Sequence, residues 1–191
     1  KTSHYEAKIF TRFMYSALIE NPNLDVRTYI EQKNGTLAEL EQPPGRTTPK
    51  ETDVYIFNDY PTSNSDPTTL QTFLRDITDN SCSMALFFGS NLDINRLQSI
   101  QSRLPVTAKP DAGLQESSVF ISLSGSARQS TIVAISDDPG ETMRQWSDLP
   151  PVWISRYAVN ASEESDVIAR VDMARASNTI RFRKDIPLLV T

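Results

Sequence analysis

Two short apolar runs constrain this chain most: "DVYIFND" at 53–59 and "MALFF" at 84–88. Each is continuous rather than alternating, and each is bounded by polar residues. A strand that is apolar at successive positions has two faces to bury, as in a parallel sheet covered on both sides. Between the runs, Asp66 is placed to N-cap a helix with Pro67 in its first turn, and Leu70, Phe73, Leu74 and Ile77 would form its buried face. Strand–helix–strand is the unit from which parallel sheets are wound. After the second run, Asp93 could cap a further helix with Ile94, Leu97 and Ile100 inward.

The flanking segments extend the pattern. From His4 to Glu20 the apolar positions Ile9, Phe10, Phe13, Met14, Ala17 and Leu18 make one helical stripe, which "NPN" at 21–23 stops. "LDVRTYIEQ" (24–32) alternates as a strand does, Asn34-Gly35 reads as a turn, and "EQPPGRTTPKE" (41–51) as a proline-rich loop. The first hundred residues therefore read α-β-β-α-β-α, which predicts a flavodoxin-like, doubly wound, mostly parallel sheet. The second half is β-rich. "SSVFISLSG" and "STIVAISDD" suggest a hairpin through "SGSARQ", and "DPGETMRQWSDLPPV" a short helix ending before two prolines. "VWISRYAV", "SDVIARVDM" and "NTIRFRKDIPLLV" suggest three further strands. The reading is one domain over 1–191 with a β-rich elaboration over about 114–191.

The 191 residues suffice for a sizeable core, and the 38% that are hydrophobic cluster into periodic segments, which argues against disorder. Net charge is −5 with basic residues scattered, so a nucleic-acid groove is not expected. A single cysteine excludes an intramolecular disulfide and a multi-cysteine metal site. No apolar run approaches the roughly 20 residues of a bilayer span, and no signal peptide is visible. The chain opens on "KTSHYEAKIF" without methionine and stops at "IPLLVT", so it reads as a domain excised from a longer protein.

"SCSMALFFGSNLD" (81–93) has the outline of a nucleophile elbow, a strand ending in a glycine-containing turn before a helix. Cys82 lies before the strand, where it reads as an inert small residue; Ser90 sits after it, at the elbow position. The surrounding G-S-N is not G-x-S-x-G, and the one histidine, His4, is not brought near by anything in the sequence. Asp137-Asp138 with Glu141 could hold a cation but reads first as a solvated turn with an Asx cap. Trp146, Trp153 and Tyr157 around "DLPPV" read as core packing before an aromatic patch. No zinc, EF-hand or phosphate-loop motif is present, so no cofactor and no metal are expected. What remains is geometric. The carboxyl ends of the two strands would bring together Asn58, Asp59, Tyr60, Gly89, Ser90 and Asn91, a polar crevice at a helix N-terminus that could hold an anion.

The order of "FTRFMYSALIENPNLDVRTYI", "DVYIFNDYP", "LQTFLRDITDNSCSMALFFGS", "LPV", "WSDLPPVW" and "IPLLVT" resembles a class I glutamine amidotransferase-like domain. The likeness is to versions embedded in bacterial membrane-anchored proteins beside von Willebrand factor A-like regions. The resemblance implies an α/β fold and an extracytoplasmic, periplasmic setting, with membrane contact only through a parent-chain anchor. Active members carry an elbow cysteine and a late His-Glu pair. Here the elbow falls near Ser90 and no histidine follows residue 4, so the resemblance implies a non-catalytic version. The expected function is ligand binding or protein interaction in a bacterial envelope protein, with an unknown small ligand or an envelope protein as partner. Two alternatives stay open: a divergent hydrolase using Ser90, and a structural spacer.

Overall fold

The computed structural model describes residues 12–39, 52–110, 117–154, 157–177 and 186–191. It is a mixed α/β chain of two compact units, 1–100 and 101–191. In the first, helix α1 (12–19) leads to a hairpin of β1 (Tyr29–Glu31) and β2 (Leu37–Glu39). Then come β3 (Val54–Asn58), helix α2 (Pro67–Asp79), β4 (Ser83–Phe87) and a 3-10 helix, Ile94–Arg103.

The strand–helix–strand unit forms as its residues dictate. β3 and β4 pair in parallel, from Val54 opposite Ser83 to Asn58 opposite Phe87. The Asp66 carboxylate accepts from the Thr69 N–H at 2.7 Å, and Pro67 stands in the first turn, where its missing N–H costs nothing. Leu70, Leu74 and Ile77 are each at most 3% exposed. Burial of such side chains stabilises by roughly 1.5–3 kcal/mol each, which pins α2 to one face of the pair. On that face the rings of Tyr55 and Phe57 lie 5.7 and 6.3 Å from that of Phe73. The Tyr55 hydroxyl donates to Asp76, and Cys82 is buried just ahead of β4 with its thiol near the Asp76 carbonyl.

The doubly wound, flavodoxin-like sheet does not form. Among the described residues the one parallel pairing is β3–β4; the remaining sheets are small, two- or three-stranded and antiparallel. Three local causes are visible. Segment 24–32 contributes only three residues of strand, which turn back on β2 through Asn34-Gly35 instead of joining β3. Ile94, Leu97 and Ile100 are buried as expected, at 8, 1 and 1% exposure. Their strict spacing of three, however, matches the 3.0-residue turn of a 3-10 helix, which forms in place of the α-helix. The next strand, β5 (Val106–Pro110), alternates buried Val106 and Ala108 with exposed Thr107 and Lys109. That half-buried pattern suits an antiparallel pair, and β5 pairs antiparallel with β9 (Tyr157–Ala161) instead of extending the parallel sheet.

The second unit is mostly antiparallel. "SSVFISLSG" breaks into β6 (Ser117–Val119) and β7 (Ile121–Leu123), and "SGSARQSTIV" is a pair of 3-10 turns, not a hairpin. Helix α3 (Pro139–Ser147) is capped by Asp138, whose carboxylate accepts from the Gly140 N–H at 2.9 Å. β8 (Val152–Ile154) pairs with β6, and β10 (Val167–Val171) lies between β7 and β11 (Pro187–Val190). A register irregularity in β10 lets Ile168, Ala169 and Val171 all turn inward. The aromatic residues divide. Trp146 packs against the cluster that holds Leu123, Val133 and Ile168 and donates its Nε1–H to the Val133 carbonyl at 2.8 Å, whereas Trp153 is 73% exposed.

Candidate functional site

Of the six residues expected at the strand ends, the structure brings Asp59, Gly89 and Asn91 into contact. Parallel register puts Asn58 opposite Phe87, and the Asp59 N–H donates to the Phe87 carbonyl at 3.0 Å. Beyond it the chain turns at Asp59, which has a positive φ of 53°, and continues through a cis Tyr60–Pro61 bond. The Pro61 carbonyl accepts from the Asp93 N–H at 2.7 Å, which holds the two turns side by side.

The centre of this turn is filled by the protein itself. Asp59 is 8% exposed. Its Oδ1 accepts from the Asn91 backbone N–H at 2.9 Å and its Oδ2 from the Asn91 side-chain amide at 2.6 Å. The carboxylate lies so close over Gly89 that a Cβ there would come within 2.3 Å of Asp59 Cγ. An N–H that a bound anion would use is thus already taken by an internal carboxylate. Ser90 is exposed at the edge of this arrangement. The backbone strain that marks a nucleophile elbow is not at Ser90: the non-glycine residues with positive φ, among those described, are Asp59 and Ser81.

Behind Tyr60 lies a polar cluster that the sequence reading missed. Glu31 of the hairpin accepts from Thr62 Oγ1 at 2.9 Å and from the Ser65 hydroxyl, and Ser65 is 1% exposed. Arg96 donates to the Ser63 and Ser65 carbonyls. The Asp66 N–H donates to the Gly35 carbonyl, and a Cβ at Gly35 would come within 1.9 Å of the Asn64 carbonyl oxygen. The cluster ties the hairpin to the loop after β3. Burial, with the Glu31 charge second, pushes the Tyr60 phenol up to about 12. These residues are far apart in sequence and individually ordinary, so no local signal marked them.

The other sequence candidates are structural. Asp138 is the α3 cap, while Glu141 pairs with Arg144 at 2.7 Å, which holds the Glu141 carboxyl down at about 2. Among the described residues no group of three or more His, Cys, Asp or Glu side chains is placed to hold a metal. His4 lies outside the described residues. A cavity of about 190 Å³ near the start of α3 is bordered by Arg128, Ser136 and Asp137, but the helix N-terminus beside it is already capped by Asp138.

The surface that stands out is apolar. Paired residues of parallel strands share a face, so Val54, Ile56 and Asn58 lie with Ser83, Ala85 and Phe87 on the side of the β3–β4 pair opposite α2. Val54 is 52% exposed, Ile56 37% and Phe87 42%. None of the six positions is charged in a chain that is 23% Asp, Glu, Lys and Arg. No helix among the described residues is long and apolar enough to cross a membrane. No protein-family model, curated protein or solved structure matches the chain.

Proposed function

We propose that this chain is a non-catalytic protein-interaction domain whose working surface is the open apolar face of the β3–β4 pair. The carrying observation is the exposure of Val54 and Ile56 on a parallel pair, an architecture that is ordinarily covered on both faces. The self-occupied turn at Asp59 supports interaction over capture of a small anion in the strand-end crevice. The missing elbow cysteine and late histidine, and a Ser90 without the positive φ of an elbow nucleophile, favour a domain without hydrolytic chemistry. On the resemblance to amidotransferase-like domains of membrane-anchored bacterial proteins, its partner belongs to the extracytoplasmic side of a bacterial envelope.

The test joins two measurements. A photo-crosslinking residue at Val54, introduced in the cells that make the protein, gives one discrete adduct whose partner is identified by mass spectrometry. Ile56→Glu abolishes that adduct while leaving the melting temperature within a few degrees. A broad serine-reactive probe does not label the protein. Stoichiometric labelling lost in Ser90→Ala would establish the hydrolase reading instead, and an adduct indifferent to Ile56→Glu would remove the face from the account.

A further inference from the structure

The hairpin between β1 and β2 turns on the one Asn-Gly pair in the sequence, Asn34-Gly35. An asparagine side chain is most open to attack by its own main chain when glycine follows, because no Cβ obstructs the glycine nitrogen. Asn34 is exposed to water, whereas Gly35 is buried. The turn thus holds a reactive amide at its tip and a structural joint one residue later.

Every group that the reaction needs is engaged. The Gly35 N–H donates to the Gln32 carbonyl at 2.9 Å, and the Gln32 N–H to the Thr36 carbonyl at 2.8 Å. Asn34 Oδ1 accepts from the Thr36 N–H at 3.2 Å and from its hydroxyl at 2.7 Å, an Asx-type arrangement. To bring the Gly35 nitrogen onto Asn34 Cγ, the peptide between them must rotate away from Gln32, and the carboxamide must leave Thr36.

The docked joint resists that rotation. Gly35 holds a positive φ of 82°, and its carbonyl accepts from the Asp66 N–H at 3.0 Å. It lies so close to the loop after β3 that a Cβ would come within 1.9 Å of the Asn64 carbonyl oxygen. Glu31, at the end of β1, accepts from the Thr62 and Ser65 hydroxyls of the same loop. The docked hairpin is therefore a lock on its own tip, and the tip reacts only when the hairpin opens locally.

We propose that Asn34 is a site of spontaneous deamidation gated by this joint, and that the product holds the joint open. On opening, the Gly35 nitrogen attacks Asn34 Cγ: an N–Cγ bond forms, the Cγ–Nδ2 bond breaks, and ammonia departs with the proton from the Gly35 nitrogen. Water then opens the cyclic imide at either carbonyl. Release of the side-chain carbonyl leaves aspartate at position 34; release of the main-chain carbonyl leaves isoaspartate. The only co-reactant is water. Isoaspartate runs the chain through one added C–C bond of about 1.5 Å and moves the carboxylate off the carbon that faced Thr36. A joint with no room for a methyl at Gly35 does not accommodate that insertion. The hairpin thereby gains a one-way, water-driven switch, independent of the open apolar face.

The experiment keeps the whole chain and its Glu31→Gln and Thr36→Val variants in mildly alkaline buffer, with and without unfolding urea. Peptide mass spectrometry follows position 34, and the melting temperatures of both variants are checked to lie within a few degrees of the parent. The folded parent is expected to convert several-fold more slowly than the unfolded chain. Both variants are expected to convert several-fold faster than the parent when folded, and all three at one rate in urea. The isoaspartyl form, separated on an anion exchanger by its added charge, is expected to lose hydrogen-exchange protection at the Asp66 N–H. Asn34→Asp, with an ordinary backbone and an oxygen for Thr36, is expected to keep it. Equal rates in the folded and unfolded parent, or variants no faster than the parent, overturn the lock. Protection kept in the isoaspartyl form, or lost equally in Asn34→Asp, overturns the switch. No conversion in any folded form, the variants included, overturns the site itself.

Discussion

The two faces of the β3–β4 pair are built from alternate residues of the same ten positions, and they have opposite environments. Tyr55, Phe57, Met84 and Leu86 lie beneath α2, whose Leu70, Leu74 and Ile77 are nearly inaccessible. Val54, Ile56 and Phe87 face the other way and remain between 37 and 52% exposed. Both faces are apolar, so composition alone does not separate them. The difference lies in the helix that follows β3, which is long, firmly capped and apolar on one stripe. A face acquires structural weight only when an element of matching shape covers it, and an apolar face left uncovered is a surface for association.

That contrast can be broken by substitution. Leu74→Ala, at 2% exposure, is expected to cost about 2–5 kcal/mol in urea unfolding, through lost burial and the cavity left behind. Ile56→Ala on the open face should cost under about 1.5 kcal/mol, since much of its surface already meets water. Equal losses would erase the distinction between the faces.

The strand-end turn supplies the next test. Gly89→Ala forces a methyl against the Asp59 side chain and should cost about 1–3 kcal/mol. Asp59→Ala leaves the Asn91 N–H without its acceptor and should cost about 1–3 kcal/mol. Ser90→Ala, at the exposed edge of the same turn, should stay within about 0.5 kcal/mol. A large effect at Ser90 with none at Asp59 would invert the account of this turn.

Alkaline titration gives a finer measure of the covered side. Tyr55 is raised to about 12, first by burial and then by its bond to Asp76; Tyr60 is raised to about 12, first by burial and then by the Glu31 charge. A phenol with a raised folded pKa keeps its proton after the unfolded chain has lost it. Stability from these two is therefore intact below about pH 10 and declines from there toward pH 12. Ultraviolet titration of tyrosinate should show Tyr55 and Tyr60 ionising late. Tyr55→Phe should remove one phenol from that late phase.

Much of the first unit was legible in its residues. The continuous runs at 53–59 and 84–88, with Asp66-Pro67 between them, specified the parallel pair, its helix and the approach of Asn91 to Asp59 at the strand ends. The error was to extend that unit into a doubly wound sheet. The spacing 94, 97, 100 already fitted a 3-10 helix, and the alternation in "VTAKP" already fitted an antiparallel strand. Other features were not legible. Nothing local states that Asp59 turns inward onto Asn91, or that Glu31 reaches Thr62 and Ser65 across some thirty positions; such pairings exist only once the hairpin has docked. Likewise, a continuous apolar run announces two faces to bury but not whether both are covered.

The most direct test places the same photo-crosslinking residue at Val54 on the open face and, separately, at Ser90 on the polar turn, in otherwise identical protein. The account predicts a discrete partner adduct from position 54 and none from position 90. An adduct from position 90 with none from position 54 would return the working surface to the strand-end turn and contradict the central claim.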